Sequence, residues 1–343
     1  APDALLGEIR ALIEETRQQV AQAANSALTL LHWRLGERIG REILQGQRAR
    51  YGEEILPTLS AKLVPEYGKG FSSRNLARMV QFAETFPDKQ VVSLLAQELS
   101  WSHFIEILPL KQPLEREFYA EMCRVEHWSV RTLRERIGSQ LYLRTAIAKK
   151  PDAVVKAEIC QLRSDGLMSP DLVLRDPYML DFLGLTEGYS ERDLESAILR
   201  EMETFLLEMG SGFCFVARQK RMTVGKDDFY LDLLFYHRHL RRLIAIELKL
   251  ESFKPAHTGQ MELYLRWLDK HERAPGEKSP IGLILCAGAD AEQVELLQLD
   301  DKSIHVAEYL TELPPVDVLA RRLHNAIIVA RERIDMLTDG EQR

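Results

Sequence analysis

Nothing in the 343 residues is apolar and uncharged for long enough to cross a bilayer. The longest such run, IGLILCAGA at 281–289, falls well short of the roughly 20 residues a spanning helix needs. The chain opens on APDALLGEIRALIEE, charged from its third residue and spaced as an amphipathic helix, so it does not read as a signal peptide. Cysteine is scarce as well. Cys123, Cys160, Cys214 and Cys286 are scattered, with no pair at metal-ligand or redox spacing, which excludes a zinc framework or a disulfide scaffold and predicts buried, reduced thiols. Internal repeats and low-complexity tracts are missing. So is a basic excess: the formal net charge of −7 argues against a protein that coats nucleic acid nonspecifically. Together these absences predict a soluble, cytoplasmic protein with no membrane partner.

What charge there is divides unevenly. Residues 1–150 hold 21 Lys and Arg against 18 Asp and Glu, a surplus of three, and residues 151–343 hold 24 against 34, a deficit of ten. A polyanion would prefer the first part. The length suggests two domains. Residues 1–150 read as almost wholly helical, with apolar residues three and four apart in LLGEIRALIEETRQQV, LTLLHWRLGERIGREIL and REFYAEMCRVEHW, and breaks at LPTLS, YGKGFSS, FPDK and LPLKQPLE. Residues 151–189 lack a sustained helical period and read as a connector. From 190 onward helix and strand alternate in an α-β-β-β-α-β order, with SERDLESAILREMETFLLEMG as the first helix, followed by a short strand IHVAEYL and a last helix from Val316 to about Met336. The fold class expected is α+β multidomain: an all-α N-terminal domain and a C-terminal α/β domain on a mixed central sheet.

In EEILPTLSAKLVPEYGKGFSSRNLARMVQFAETF a helix ends near Tyr67, a glycine turn follows, and Ser72 or Ser73 caps a second helix. Leu76, Met79, Val80 and Ala83 make its inner face, while Ser73, Arg74, Asn75 and Arg78 lie outward near its positive end. That is how a helix-turn-helix presents itself to the DNA major groove. The alternative is an αα-hairpin whose arginines are simply solvated.

The most informative stretch is FYLDLLFYHRHLRRLIAIELKL, residues 229–250. Alternation assigns Phe229, Leu231, Leu233 and Phe235 of one strand, and Ile244, Ile246, Leu248 and Leu250 of the next, to an apolar core face. The opposite face carries Tyr230, Asp232, Leu234 and Tyr236 beside Leu243, Ala245, Glu247 and Lys249. A turn centred on His239 and Leu240 sets Asp232 directly across from Glu247, roughly 5 Å apart at Cβ. Facing carboxylates destabilise a sheet unless something compensates. Mg²⁺ fits, because it takes one or two carboxylates and completes its shell with water and phosphate. Lys249 then reaches a scissile phosphate or the attacking water. The alternative is an exposed Glu247–Lys249 pair on a half-solvated face. Glu195 on the preceding helix can supply a third acid, though acidic residues favour a helix N-terminus anyway. Gln260 and Tyr264, four apart on the following helix, share a face and can hold phosphate, orient the lysine, or simply pack. The His237–His239 pair reads as solvated in its basic turn rather than as a metal pair, and ARRLHNAIIVARERI as a packed helix with a charged outer face.

An Asp followed by Glu-x-Lys within such a unit resembles the PD-(D/E)xK, restriction-endonuclease-like nuclease superfamily. The wording is closer still. The stretch FLLEMGSGFCFVARQKRMTVGKDDFYLDLLFYHRHLRRLIAIELKLESFKPAHTGQMELYL, with SPIGLILC after it, resembles the nuclease domain of the bacterial YhcG family. GFSSRNLARMVQFAETFP, LSWSHFIEILP and REFYAEMCRVEHWSVRTLRERI resemble that family's N-terminal domain. The resemblance implies that Asp232 and Glu247 bind Mg²⁺, with Mn²⁺ as a substitute, that Lys249 assists the water or the transition state, and that Glu195 completes an acidic cluster. It also implies that Gln260 and Tyr264 form a Q-x-x-x-Y signature and that Arg218 and Gln219, within ARQ, contact DNA. Leu231 stands where the superfamily often has proline before its aspartate. A defence or mobile-element role, with a homo-oligomer or a defence-system partner, follows from the resemblance alone. The expectation is a Mg²⁺-dependent nuclease recruited to DNA by its helical domain; the alternative is a DNA-binding or assembly protein that keeps the fold without cutting.

Overall fold

The computed structural model describes residues 2–45, 49–180, 183, 190–290, 293, 294, 297, 299 and 303–310. Its chain divides into two compact units, Ala1–Gly138 and Ser139–Arg343. The helix expected between Val316 and Met336, including ARRLHNAIIVARERI, lies outside the described residues, as does most of AEQVELLQL. Among the described residues no helix is long and apolar enough to cross a membrane.

The first unit is helical: α1 (Pro2–Gln45), α2 (Ala49–Tyr67), α3 (Ser73–Thr85), α4 (Lys89–Leu95), α5 (Trp101–Ile107), α6 (Pro113–Glu126) and α7 (Val130–Gly138). LPTLS is not a break. Helix α2 runs through Pro57 and Pro65, because its stripe of Leu56, Leu59 and Leu63 packs on a cluster built from Ile39, Leu76 and Met79. Between α2 and α3 a 3-10 turn spans Lys69–Phe71, and Gly68 before it adopts φ 90, open to glycine at no steric cost. Ser72 occupies the cap position of α3 without a side-chain bond to the helix.

Helix α3 lies tightly against α1. A Cβ on Gly36 would stand 1.8 Å from the carbonyl oxygen of Met79, so only glycine permits the approach. Gly36→Ala is therefore expected to destabilise this unit by about 1–3 kcal/mol, more than an exposed alanine substitution, since the atom in the way is backbone. Chemical denaturation of the full chain measures it.

The second unit begins with α8 (Leu141–Arg144). The stretch 151–165, read from the sequence as connector, instead forms α9 (Asp152–Asp165). Val155, Ile159 and Leu162 are its buried stripe, and Gly166 at φ 66 ends it; a 14-residue helix with only three buried positions gives a weak periodic signal. After α10 (Pro170–Val173) and the short β1 (Tyr178–Met179), the helix expected across 190–210 is two: α11 (Glu191–Arg200) and α12 (Met202–Met209), parted at Glu201. Ser190 caps α11, its hydroxyl accepting from the Asp193 amide, and Gly210 follows α12.

The sheet then forms from β2 (Phe213–Val224), β3 (Asp227–His237), β4 (Arg242–Ser252), β5 (Ile281–Gly288) and β6 (Ile304–Leu310), with α13 (Pro255–His271) between β4 and β5. Its order is β1-β6-β5-β4-β3-β2. β2, β3 and β4 are antiparallel neighbours; β4, β5, β6 and β1 run parallel, giving the mixed sheet expected. One face packs on α12, where the Phe205 ring sits 6.1 Å from that of Phe235. The other packs on α13 through Leu234, Ala245 and Ile284 against Met261, Leu265 and Leu268. Gly282 of β5 lets α13 close down, since a Cβ there would meet the Met261 side chain at 2.5 Å.

Two expectations about side chains need correction. Cys123 and Cys286 are buried, but Cys160 and Cys214 are exposed; all four are free. His237 is fully buried rather than solvated: its Nδ1 accepts from the Leu240 amide at 3.2 Å, and burial pushes its pKa down to about 4.

Candidate active site

The sequence-derived register holds along the β3–β4 hairpin. His237 pairs with Arg242 and Leu233 with Ile246, around a turn in which Arg241 takes φ 54. The ladder stops there, one position before Asp232 and Glu247. β3 stays with β2 as far as Asp227, while β4 stays with β5, so the sheet forks at Asp232. The Asp232 side chain explains the fork. Its Oδ2 accepts from the Leu248 amide at 2.9 Å, taking the place of the next backbone partner.

The same level interrupts β2. Gln219 adopts φ 43, in the left-handed region, and it and Asp232, opposite each other in an unshifted register, are both unpaired between Arg218–Leu233 and Lys220–Leu231. Side-chain alternation changes phase on both strands at this point. Phe229 and Leu231 therefore pack with Leu234 in the cluster under α13, and the Phe229 ring lies 6.4 Å from that of Tyr264. They do not share a face with Phe235 as strict alternation requires.

On one branch of the fork stand Asp232 and Gln219; on the other, Glu247 and Lys249. Glu247 is 5% exposed. Its Oε1 accepts from Lys249 Nζ at 3.1 Å and from Gln260 Nε2 at 3.2 Å, while its Oε2 is buried with no hydrogen-bond partner among the described residues. Burial, with the Asp232 charge adding to it, pushes the Glu247 pKa up to about 7. Burial likewise raises Asp232. Burial works against the Lys249 ammonium, but Glu247, Glu191 and Asp232 more than offset that and hold its pKa above the ordinary value. Gln260 Nε2 also donates to the Tyr264 hydroxyl at 2.5 Å, and that hydroxyl donates to the Tyr230 carbonyl at 3.3 Å. Helix α13 is thereby tied to both branches.

Glu195 joins through an intermediary. Gln219 Nε2 donates to Glu195 Oε2 at 2.9 Å and to Asp232 Oδ1 at 3.1 Å. One amide group thus bridges two carboxylates. Among the described residues no three His, Cys, Asp or Glu side chains come together as a metal cluster. Arg218 is exposed on β2. Glu191, one turn before Glu195, also faces the site. Its Oε1 accepts from the Leu250 amide at 3.5 Å, and its charge acts on Lys249 and Asp232; the four-residue spacing from Glu195 is its signal in the sequence. In the first unit Arg74 is exposed, Asn75 Nδ2 donates to the Gly70 carbonyl at 3.2 Å, and Arg78 donates to Asn75 Oδ1 at 3.4 Å; Ser73 opens α3 beside them.

Comparison with known proteins decides the family. The chain is 31% identical to "Putative nuclease YhcG" of Escherichia coli (strain K12) across 94% of this chain and 93% of that one. This chain belongs to the YhcG family. The family model described as YhcG PDDEXK nuclease domain matches residues 171–324, and the DUF1016 N-terminal domain matches residues 8–144. Among solved structures, a repair endonuclease from Pyrococcus abyssi is 20% identical with a TM-score of 0.26, and an EndoMS–dsDNA complex is 18% identical with a TM-score of 0.28. Each comparison covers 38% of this chain, and 50% and 48% of the other chain respectively.

The two carboxylates of this fork fit a hard divalent cation: Glu247 Oε2 is buried without a hydrogen-bond partner among the described residues, and the Asp232 charge acts on the same carboxyl, a combination that a cation would relieve.

Gln219 carries a testable consequence of its own. Gln219→Ala removes the bridging amide and leaves a Cβ at positive φ, whereas Gln219→Gly removes the Cβ as well. The glycine variant is expected to be more stable by about 1 kcal/mol in denaturant unfolding.

Proposed function

We propose that this protein is a divalent-metal-dependent nuclease that hydrolyses phosphodiester bonds in DNA at the β3–β4 fork. The single observation that carries this reading is the meeting of Asp232, Glu247 and Lys249 there, with one oxygen of Glu247 buried and unpartnered among the described residues. Asp232 and Glu247 would hold Mg²⁺ or Mn²⁺. When bound, such a cation supplies Lewis-acid polarisation of the phosphate and charge to offset the two carboxylates. Lys249 donates its ammonium hydrogens to the phosphoryl oxygens as negative charge grows on them, while a water oxygen bonds to phosphorus and the P–O bond to the leaving group breaks. Gln260 keeps Lys249 and Glu247 in line through its bond to Glu247 Oε1, and Tyr264 fixes Gln260 in turn. Gln219 holds Glu195 against Asp232, a positioning task in place of the direct DNA contact read from ARQ. Arg218, exposed on the adjoining strand, is suited to a backbone phosphate.

DNA recruitment falls to the helical unit in this reading, through Ser73, Arg74, Asn75 and Arg78 at the start of α3, where an exposed arginine and a helix N-terminus together attract phosphate. Residues 1–150 carry the positive surplus that suits this role. The test is cleavage of linear, circular, branched and single-stranded substrates by the purified full chain with Mg²⁺, Mn²⁺ or EDTA. Cleavage that needs metal and is lost in Asp232→Asn supports the proposal. DNA binding without metal-dependent cleavage of any substrate would leave a docking protein on a nuclease fold. Affinity of the full chain for DNA is expected to fall steeply with salt, and Arg74→Ala with Arg78→Ala to flatten that slope.

A further inference from the structure

Helix α1 carries two apolar stripes on opposite sides. Toward its C-terminal half Thr29, Trp33, Gly36, Ile39 and Gly40 are buried, and the Trp33 indole donates to the Phe86 carbonyl at 2.8 Å. Toward its N-terminal half Leu5, Leu6, Ile9, Leu12, Ile13 and Val20 are 44–64% exposed. At 100° per residue, Ile9, Ile13 and Val20 project about 180° away from Thr29, Trp33 and Gly36. The helices that cover the first stripe therefore leave the second untouched. Ile9, Leu12, Ile13, Thr16 and Val20 form one open, largely apolar surface with Arg17, Ala21 and Ala24.

The spacing says what kind of element covers this stripe. Leu6, Ile9, Ile13, Thr16 and Val20 alternate three and four residues apart, the seam of a left-handed coiled coil between helices. Leu5 and Leu12 flank the seam on one side, Arg10 and Arg17 on the other. In a parallel pair each leucine meets an arginine of the second helix, whose aliphatic stem can lie on it, and no like charges face each other. An antiparallel pair would set arginine beside arginine. Residues 2–21 hold four carboxylates against two arginines, which disfavours an anionic lipid surface or a nucleic acid as the occupant. The six exposed side chains present on the order of 500 Å² of apolar surface, at the top of what monomers leave bare, and with a polar rim this approaches the roughly 800 Å² per partner of a stable interface.

We propose that the N-terminal half of α1 pairs in parallel with the same segment of a second copy of this chain. The proposal is independent of the nuclease chemistry. Sedimentation equilibrium of the full chain tests it. The wild type is expected at a dimer's mass, or a multiple of it, and the Ile9→Glu, Ile13→Glu double variant at half that mass with an unchanged circular dichroism spectrum. Both positions are exposed, so the charges cost the monomer little. A second variant fixes the orientation: Ile13→Cys, with Cys160→Ser and Cys214→Ser to remove the exposed thiols, is expected to form a symmetric disulfide between copies on mild oxidation. A monomeric wild type, a double variant of undiminished mass, or a dimer that never cross-links at position 13 would each overturn the proposal.

Discussion

Changing Lys249 to Ala, or Glu247 to Gln, is expected to lower DNA cleavage by about 10²–10³-fold while the chain stays folded. The two side chains share one hydrogen bond, Nζ to Oε1 at 3.1 Å, at the mouth of a fork where the sheet has stopped pairing. In the proposed reading Lys249 contributes charge that matters most as the phosphoryl oxygens become more negative, so its loss is expected to fall mainly on kcat. Glu247 anchors both Lys249 and, in the proposed reading, the cation. Because they act as a unit, the double variant is expected to lose little beyond either single one. Steady-state cleavage by the purified proteins, with circular dichroism as the folding control, reads this directly. Undiminished cleavage by Lys249→Ala would remove the residue from the reaction.

The second large effect runs in the opposite direction and concerns stability. Glu247 has its pKa raised from the usual 4.5 to about 7, burial being the leading cause. A carboxyl raised in the folded state binds its proton more tightly there than in the unfolded chain. Its contribution to stability is therefore complete below about pH 4.5 and is lost as pH rises through about 7. Above that range the metal-free protein keeps a buried negative charge at a cost on the order of 3 kcal/mol. Glu247→Gln is thus expected to unfold at higher temperature than wild type at pH 8 in EDTA, with the advantage shrinking at pH 5. The attraction of Lys249 is already contained in the raised pKa, so the sign stands. A variant less stable than wild type at both pH values would contradict this placement of Glu247. An inactive but stabilised variant is the outcome typical of a site whose function holds charges apart from solvent.

Much of this site was legible because β-sheet arithmetic is rigid. The turn at His239 and Leu240, once located, fixed the register of β3 and β4, and the period of two then placed Glu247 and Lys249 on one side. The same rule failed where the chain departs from a regular strand. No pattern announces that Gln219 turns left-handed, so the change of phase that carries Phe229 and Leu231 under α13 was invisible, as was the fork that Asp232 makes by bonding the Leu248 amide. Glu195 could be placed on α11 from its spacing, but its link to Asp232 depends on a side-chain amide from another strand. In the helical unit, Gly36 gave no hint of how closely α3 approaches, since a glycine within a helix signals weakness more often than contact. The prolines of α2 misled for a related reason: packing on Ile39, Leu76 and Met79 sustains a helix that local propensity alone would interrupt.

The central claim is that Asp232 and Glu247 together hold one divalent cation at the fork. Calorimetric titration of Mg²⁺ or Mn²⁺ into the full-length protein near pH 8 tests it without reference to cleavage. Saturable binding by the wild type that disappears in both Asp232→Asn and Glu247→Gln is the predicted result. Binding of equal strength in either variant, or none in the wild type, would contradict it.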